Sequence, residues 1–357
     1  MKNITKLTQK LVSIPSWVGE TNNENAVNNF IFGYLKKYSN LKVEKQLLKG
    51  GRFNVLASPS KKVDCLVIGH TDTVPISNKW TVDPFKGTIK DGRLYGRGTT
   101  DMKGGVAAML LAATRKDLPK NTAFLFYVDE EYNFAGMKEF IACYKNKMAP
   151  KTIISLDGSE LEVANGCRGL IEIELIIGGI SAHAATPQNG RNALLIAYQV
   201  YQGLEEFVSQ FKDPELGNSI INLGMISGGI APNVVPDSCS LTLDIRPASS
   251  KLNAKKVEAE IKRLVKLNLG TIQEIKTNFD FPFWLTPKSK IRTSLPFKNL
   301  SKSGYIDIAL LFQAFNRPTC LTFGAGTQSM AHKADEYIEI AKLEKSGALL
   351  FDLIQSL

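Results

Sequence analysis

Apolar and polar positions along the chain alternate between short all-apolar runs and amphipathic stretches. Residues 4–13 place Ile4, Leu7 and Leu11 on one helical face, and the pattern stops at Ser13-Ile-Pro-Ser16. A second helix is predicted from about Asn23 to Lys37, with Val27, Phe30, Ile31 and Leu35 on its apolar side. Leu41–Leu48 and Phe53–Ala57 read as strands joined by the turn Lys49-Gly-Gly-Arg52. Three apolar runs, Cys65–Ile68, Thr122–Val128 and Thr152–Leu156, predict strands buried on both faces. Helical stretches at Val106–Thr114 and 135–147 alternate with them, the pattern of an open α/β sheet.

From Cys167 the texture changes. Strand patterns at 170–177, 220–226, 239–245 and 271–278 enclose helices at 192–211 and 252–267. That order, β-α-β-β-α-β, is the ferredoxin-like unit. From about Phe281 the first texture returns, with a helix at 307–315, a strand at 319–323 and a final helix at 340–356. The expected architecture is an α/β domain with a mixed central sheet flanked by helices, from 1–167 and 281–357, with an inserted ferredoxin-like α+β domain at 168–280. A length of 357 residues suits two cores better than one.

Composition changes this picture little. With 44% hydrophobic and 22% charged residues the chain reads as globular, and no apolar run approaches the roughly 18 residues of a membrane helix. The N-terminal stretch has amphipathic spacing without an apolar signal core, so a cytoplasmic location is expected and no membrane partner. Five cysteines, none in a CxxC pair, indicate neither a disulfide framework nor a thiolate metal site. The net charge of +10 comes from dispersed lysines without a basic block, so nucleic acid is not expected as a partner.

The chemistry sits at strand ends. The Cys65 strand ends in His70-Thr-Asp72, and a carboxylate near an imidazole can fix its tautomer and orientation. The strand from Thr122 ends in Asp129-Glu130-Glu131, and the one from Thr152 ends in Asp157. Three consecutive acids after an apolar strand are costly to place together unless cations hold them. For Asp129 a solvated or packing role is the simpler reading. Gly96-Arg-Gly-Thr-Thr-Asp101-Met-Lys-Gly-Gly adds a carboxylate in a tight loop before a helix, and it lacks the pattern of a phosphate-binding loop. The chain's three histidines, His70, His183 and His332, all fall in Gly- or Ser-containing loops. Two imidazoles with three or four carboxylates suit a pair of divalent metals, zinc first, able to activate water and polarise a carbonyl.

Gly-His70-Thr-Asp72-Thr-Val-Pro, Gly-Arg-Gly-Thr-Thr-Asp101-Met-Lys-Gly-Gly, Asp-Glu130-Glu131 and Ser-Ala-His183 together resemble the dinuclear zinc amidohydrolases. That family includes acetylornithine deacetylase, succinyl-diaminopimelate desuccinylase, aminoacylase and related carboxypeptidases and dipeptidases. The resemblance covers nearly the whole chain in the right order. It implies that His70 and Asp157 bind one zinc, that Glu131 and His332 bind the other, and that Asp101 bridges both. Cobalt or manganese could substitute for zinc. It implies that Glu130 is the general base, that Asp72 orients His70, and that the Asp101–Met102 peptide is cis. The inserted domain becomes a lid and homodimerisation domain, with His183 resembling the family's oxyanion-stabilising histidine, which in dimeric members is supplied across the dimer.

On the same resemblance Arg168, Asn233 and Arg246 look like substrate-side residues, although a turn role fits Asn233 and surface ion pairs fit both arginines. Thr327 and Ser329, in the Gly-containing loop, are further candidate substrate contacts. The expected substrate is a small N-acyl amino acid, of the acetylornithine or succinyl-diaminopimelate type. A dipeptidase or carboxypeptidase acting on short peptides is the alternative, since Asp157 stands where many deacylases carry Glu. A non-catalytic binding protein on the same fold is the reading from another class, and Glu130 argues against it.

Overall fold

Four strands that are apolar on both faces lie side by side in the middle of the larger sheet. They are Thr122–Tyr127, Cys65–His70, Thr152–Ser155 and Thr319–Phe323, in that spatial order and mutually parallel. The structure is a computed structural model describing residues 3–19, 23–60, 62–77, 79–303 and 307–356. Among these residues the sheet has seven strands. Phe53–Ser58 and Lys42–Leu47 extend it antiparallel beyond Thr122–Tyr127, and Val163–Ala164 pairs antiparallel with Thr319–Phe323. Double burial explains why the central strands carry no alternation, whereas the edge strand Lys42–Leu47 mixes lysine, glutamate and glutamine with its apolar residues.

Helix Gly104–Ala113 has no polar face and is almost wholly buried, packed between helices Ile4–Val12 and Ile340–Ser356. Helix Ile4–Val12 is amphipathic and starts at an Asn3 side chain that accepts the Lys6 N–H at 3.0 Å. Because the four central strands are parallel, their carboxyl ends share one edge, where open α/β sheets bind ligands. At that edge the loops after Thr152–Ser155 and Thr319–Phe323 cross closely. A Cβ on Gly158 would lie 2.4 Å from the Phe323 carbonyl carbon, and one on Gly324 2.4 Å from the Gly158 carbonyl oxygen. Only glycine fits there.

The chain divides into two units, and this sheet belongs to the one made of Met1–Asn165, Leu285–Lys298 and Leu310–Leu357. The second unit comprises Gly166–Trp284 and Asn299–Ala309. Its antiparallel sheet runs Ile220–Gly228, Ser238–Arg246, Leu170–Gly178, Thr271–Phe281. Ile171, Ile173, Leu175 and Ile177 point to the buried face, under helices Ala193–Ser209 and Ala254–Leu267, while Glu172 and Glu174 point away. Asn299–Ala309 lies outside the stretch that strand periodicity marks as inserted. Within it the Ser301 and Ser303 carbonyls accept hydrogen bonds from Arg168, as described below. Among the described residues no helix is long and apolar enough to cross a membrane.

Candidate metal centre

His70 ends its strand almost fully buried. Its Nδ1–H donates to the main-chain carbonyl of Asp72 at 3.1 Å, and Oδ1 of the same residue stands 3.5 Å from that nitrogen. Nε2 is thereby aimed at Asp101 Oδ1, 2.9 Å away. Asp101 lies just before helix Gly104–Ala113, and the Asp101–Met102 peptide is cis. The approach to it turns through Gly98 at φ 83°, where a Cβ would sit 2.8 Å from the Thr73 methyl. Met102 folds back so that its Sδ accepts the His70 N–H at 3.3 Å.

His332 comes from the far end of the chain, in the left-handed region at φ 64°. Its Nε2 is 3.2 Å from Asp101 Oδ2 and 3.1 Å from Glu131 Oε2, with the ring 54% exposed. The two oxygens of Asp101 therefore face two different imidazoles. One donor atom each from His70, Asp101 and Glu131 lies within 4.8 Å of the others. Asp157 follows strand Thr152–Ser155 and feels the charges of Asp101, His70 and Glu131.

The electrostatics fit a cation-binding cluster. Burial and the charge of Asp101 push Asp157 up to about 7. Burial also raises Glu131, with hydrogen bonding to His332 opposing it. Burial alone would depress His70, but hydrogen bonds to Asp101 and Asp72 outweigh it and hold its pKa well above the usual imidazole range. Hydrogen bonds to Asp101 and Glu131 lift His332 to about 10. Asp101 also pays for burial, yet its two imidazole partners hold it below the usual carboxylate range. Acids and imidazoles thus crowd one another, and a bound cation would replace the protons that now balance the acids. Neutral imidazole nitrogen and carboxylate oxygen are donors suited to a divalent metal, so the residues fit such an ion.

Two buried networks hold the acidic turn and the Asp101 loop, and sequence reasoning singled out neither. Arg52 donates from Nε to Glu24 Oε2 at 2.9 Å and from Nη2 to Asp129 Oδ1 at 2.7 Å. Glu24 Oε1 also accepts the Asp129 N–H at 3.1 Å, and Asp129 Oδ2 accepts the Ala135 N–H at 3.1 Å. Asp129 is thus a buried packing residue at φ 71° that fixes the turn before Glu130. In the second network the Glu336 carboxylate, fully buried, meets Arg97 and the main chain of the Asp101 loop. Beside it Lys103 is buried with Nζ donating to the Ile14 carbonyl at 2.8 Å, and burial pushes its ammonium down to about 7.

The remaining candidates have distinct surroundings. Thr327 is buried, donates its N–H to Thr100 Oγ1 at 3.2 Å, and its own hydroxyl has no hydrogen-bond partner among the described residues. In the second unit His183 is exposed, and its Nδ1 accepts the Ala185 N–H at 3.0 Å. Asn233 is exposed, with its carbonyl accepting the Ala184 N–H at 3.0 Å. Arg246 forms a two-pronged pair with Asp244, at 2.6 and 2.8 Å. Arg168, expected on the substrate side, is held by the backbone of its own unit. It is buried, and its nitrogens donate to the carbonyls of Asn218 at 2.9 Å, Ser303 at 3.2 Å and Ser301. Three backbone carbonyls thus fix the position of the guanidinium.

The chain as a whole is similar to several known proteins. An acetylornithine deacetylase of Buchnera aphidicola is 28% identical over 98% of this chain and 97% of its own. A probable carboxypeptidase of Paracoccidioides lutzii is 28% identical over 91% of this chain and 79% of its own. The fold matches a family M20 metallo-carboxypeptidase from Sulfolobus solfataricus with a TM-score of 0.81 at 18% identity, covering 100% of both chains. It also matches the YXEP protein of Bacillus subtilis, described as a dinuclear metal-binding peptidase, with a TM-score of 0.69 at 15% identity over 98% of this chain and 96% of that one. The profile of peptidase family M20/M25/M40 matches residues 66–356, a span that holds His70, Asp101, Glu131, Asp157 and His332, and the chain belongs to that family of metallohydrolases.

Proposed function

We propose that the protein holds two zinc ions per chain and hydrolyses the amide bond of a small N-acyl amino acid, with an acetylornithine-type substrate foremost. The observation that carries this is Asp101, whose two carboxylate oxygens face His70 and His332 at 2.9 and 3.2 Å, the disposition of a bridging ligand. His70 and Asp157 complete one site, and Glu131 with His332 the other. Bound there, zinc polarises the substrate carbonyl and lowers the pKa of water.

The chain's own groups handle the protons. Glu130 follows the Asp129 turn, and its main chain is held by Asp72 through a 3.2 Å hydrogen bond from the Glu130 N–H. Its carboxylate takes a proton from the attacking water as the new C–O bond forms. It returns that proton to the amine nitrogen as the C–N bond breaks, and the second proton of the water passes from the new carboxylic acid to the amine, leaving a carboxylate and an ammonium. His183 is the oxyanion donor. Because its Nδ1 accepts the Ala185 N–H, the neutral ring carries its proton on Nε2, the form that can donate. Arg246, Asn233 and Thr327 contact the substrate.

The second unit is the dimerisation surface. Strand Ile220–Gly228 leaves one edge unpaired in its sheet, and Ile220, Met225 and Ile226 are exposed along it, beside Leu195 and Tyr198 of helix Ala193–Ser209. Five cysteines, all free, suit the reducing cytoplasm.

The competing reading is a carboxypeptidase or dipeptidase, favoured by the aspartate at position 157. Initial rates of the zinc-loaded protein on N-acetylornithine, N-succinyl-diaminopimelate and simple dipeptides decide between them. Deacylation faster than peptide cleavage is the expected result. Peptide cleavage alone transfers the assignment to the second reading, and no hydrolysis of any member overturns both.

A further inference from the structure

We propose that Glu336 is a positioning residue for Asp101, holding the main chain of the metal loop so that the Asp101 carboxylate can serve two ions. The inference rests on the reading of Asp101 as the shared ligand. Glu336 accepts four hydrogen bonds within a fully buried site. Oε1 receives the N–H of Thr100 at 2.8 Å and of Asp101 at 3.1 Å. Oε2 receives the N–H of Gly98 at 2.9 Å and Arg97 Nη1 at 2.8 Å. Three amides of one short loop thus converge on one side chain, an anion nest filled by the protein itself.

The main chain of Glu336 reinforces the grip, since its carbonyl accepts the Gly96 N–H at 2.8 Å. The next residue adds another tie, with Thr100 Oγ1 donating to the Tyr337 carbonyl at 2.6 Å. Asp101 is therefore held on its amide side by Glu336 and, through Met102 Sδ, linked to the His70 N–H on the other. Amides in a loop could have been satisfied by water at lower cost than a buried carboxylate with its own arginine. What the costly arrangement supplies is a fixed direction for Asp101. It also joins the His332 loop to the Asp101 loop, because Glu336 lies four residues after His332.

Asp335 offers an internal control. It anchors the same segment elsewhere, accepting the Thr81 N–H at 2.8 Å and the Thr81 hydroxyl at 2.7 Å, and makes none of the Asp101-loop contacts described for Glu336. The experiment uses the full chain as wild type, Glu336→Gln and Asp335→Asn. Zinc affinity is read by competition with a chromogenic chelator, the cobalt(II) absorption spectrum reports ligand geometry, and circular dichroism reports folding of the metal-free proteins.

Glu336→Gln is expected to weaken zinc binding by roughly 10–100-fold and to alter the cobalt spectrum, the effect typical of losing an outer partner of a ligand. Asp335→Asn is expected to stay within about twofold of wild type on the same scale. Wild-type zinc affinity in a folded Glu336→Gln protein overturns the proposal, as does an equal loss in Asp335→Asn, which would make the effect a general loosening of the segment. If Glu336→Gln does not fold, Glu336→Asp, which keeps the charge but withdraws the carboxylate, is measured with the same expectations. A wild-type chain that binds no zinc overturns the reading of the metal centre itself and is told apart from failure of the Glu336 proposal by the wild-type titration alone.

Discussion

The Asp72 carboxylate accepts the main-chain N–H of Glu131 at 2.9 Å while its other oxygen faces His70 Nδ1. One side chain thus faces an imidazole at the end of one strand and caps the acidic turn at the end of the neighbouring strand. Asp72→Asn replaces one acceptor oxygen with an amide that cannot accept the N–H it faces. Zinc affinity or kcat/KM is expected to fall about 10–100-fold, with the metal restored at high zinc. Elemental analysis and kinetics on the same sample check this, and an unchanged enzyme would show that Asp72 only packs.

Glu130 and Glu131 are adjacent, and the proposed mechanism gives them different roles, base and ligand. Glu130→Gln should keep its zinc and lose about 10²–10⁴-fold in kcat, since a base acts only in the reaction. Glu131→Gln should instead lose metal, because a neutral amide is a poor substitute for a carboxylate ligand. Zinc content measured beside kcat separates them, and the reverse pattern would exchange their roles.

The protons of the cluster set a pH dependence. His332, lifted from 6.5 to about 10, stabilises the fold fully below 6.5 and loses that contribution as pH rises toward 10. Asp157, lifted from 3.8 to about 7, likewise holds a proton that the unfolded chain has released, so its contribution also fades as pH climbs through 7. Metal must displace these protons, so it binds more tightly as pH rises. The increase in Tm on adding saturating zinc should therefore be larger at about pH 8 than at about pH 6. Equal increments would remove these groups from the ligand set.

Arg52 stands between two buried carboxylates, Glu24 and Asp129. Arg52→Met leaves both without their cation and should destabilise the metal-free protein by about 3–5 kcal/mol in denaturant unfolding. A change below about 1 kcal/mol would mean that water replaces the guanidinium freely.

Arg168 and Arg246 should part company in kinetics. Arg168→Met orphans three carbonyls and is expected to cost stability, about 1–3 kcal/mol, with KM unchanged. Arg246→Ala is expected to raise KM about tenfold or more if its guanidinium meets the substrate carboxylate. A raised KM in Arg168→Met with normal stability would restore it to the substrate side.

The strand-end residues were legible because each follows a run of apolar residues that can only be a buried strand, so His70, Glu130, Glu131 and Asp157 had to emerge at one edge. Arg52, Glu24 and Glu336 were not. Arg52 and Asp129 are 77 residues apart, and Glu336 and Thr100 are 236 apart, so nothing local marks them as partners. An arginine beside a Gly-Gly turn and an acid after a histidine look like ordinary surface residues until the fold encloses them. The surroundings of Arg168 were not legible either, since the carbonyls that hold its guanidinium come from residues 218, 301 and 303.

The parallel pairing of Thr319–Phe323 with Thr152–Ser155 has a consequence for how the protein is made. At about 5–20 residues per second, a ribosome releases His332 roughly 9–35 s after Asp157. During that interval Thr152–Ser155 has no neighbour on one side, the kind of bare strand edge that recruits other chains. The nascent chain also presents His70, Asp101 and Glu131 without the imidazole that closes the cluster. A chain truncated before Thr319 is therefore expected to aggregate more readily and, on the proposed ligand set, to bind zinc less tightly than the full chain.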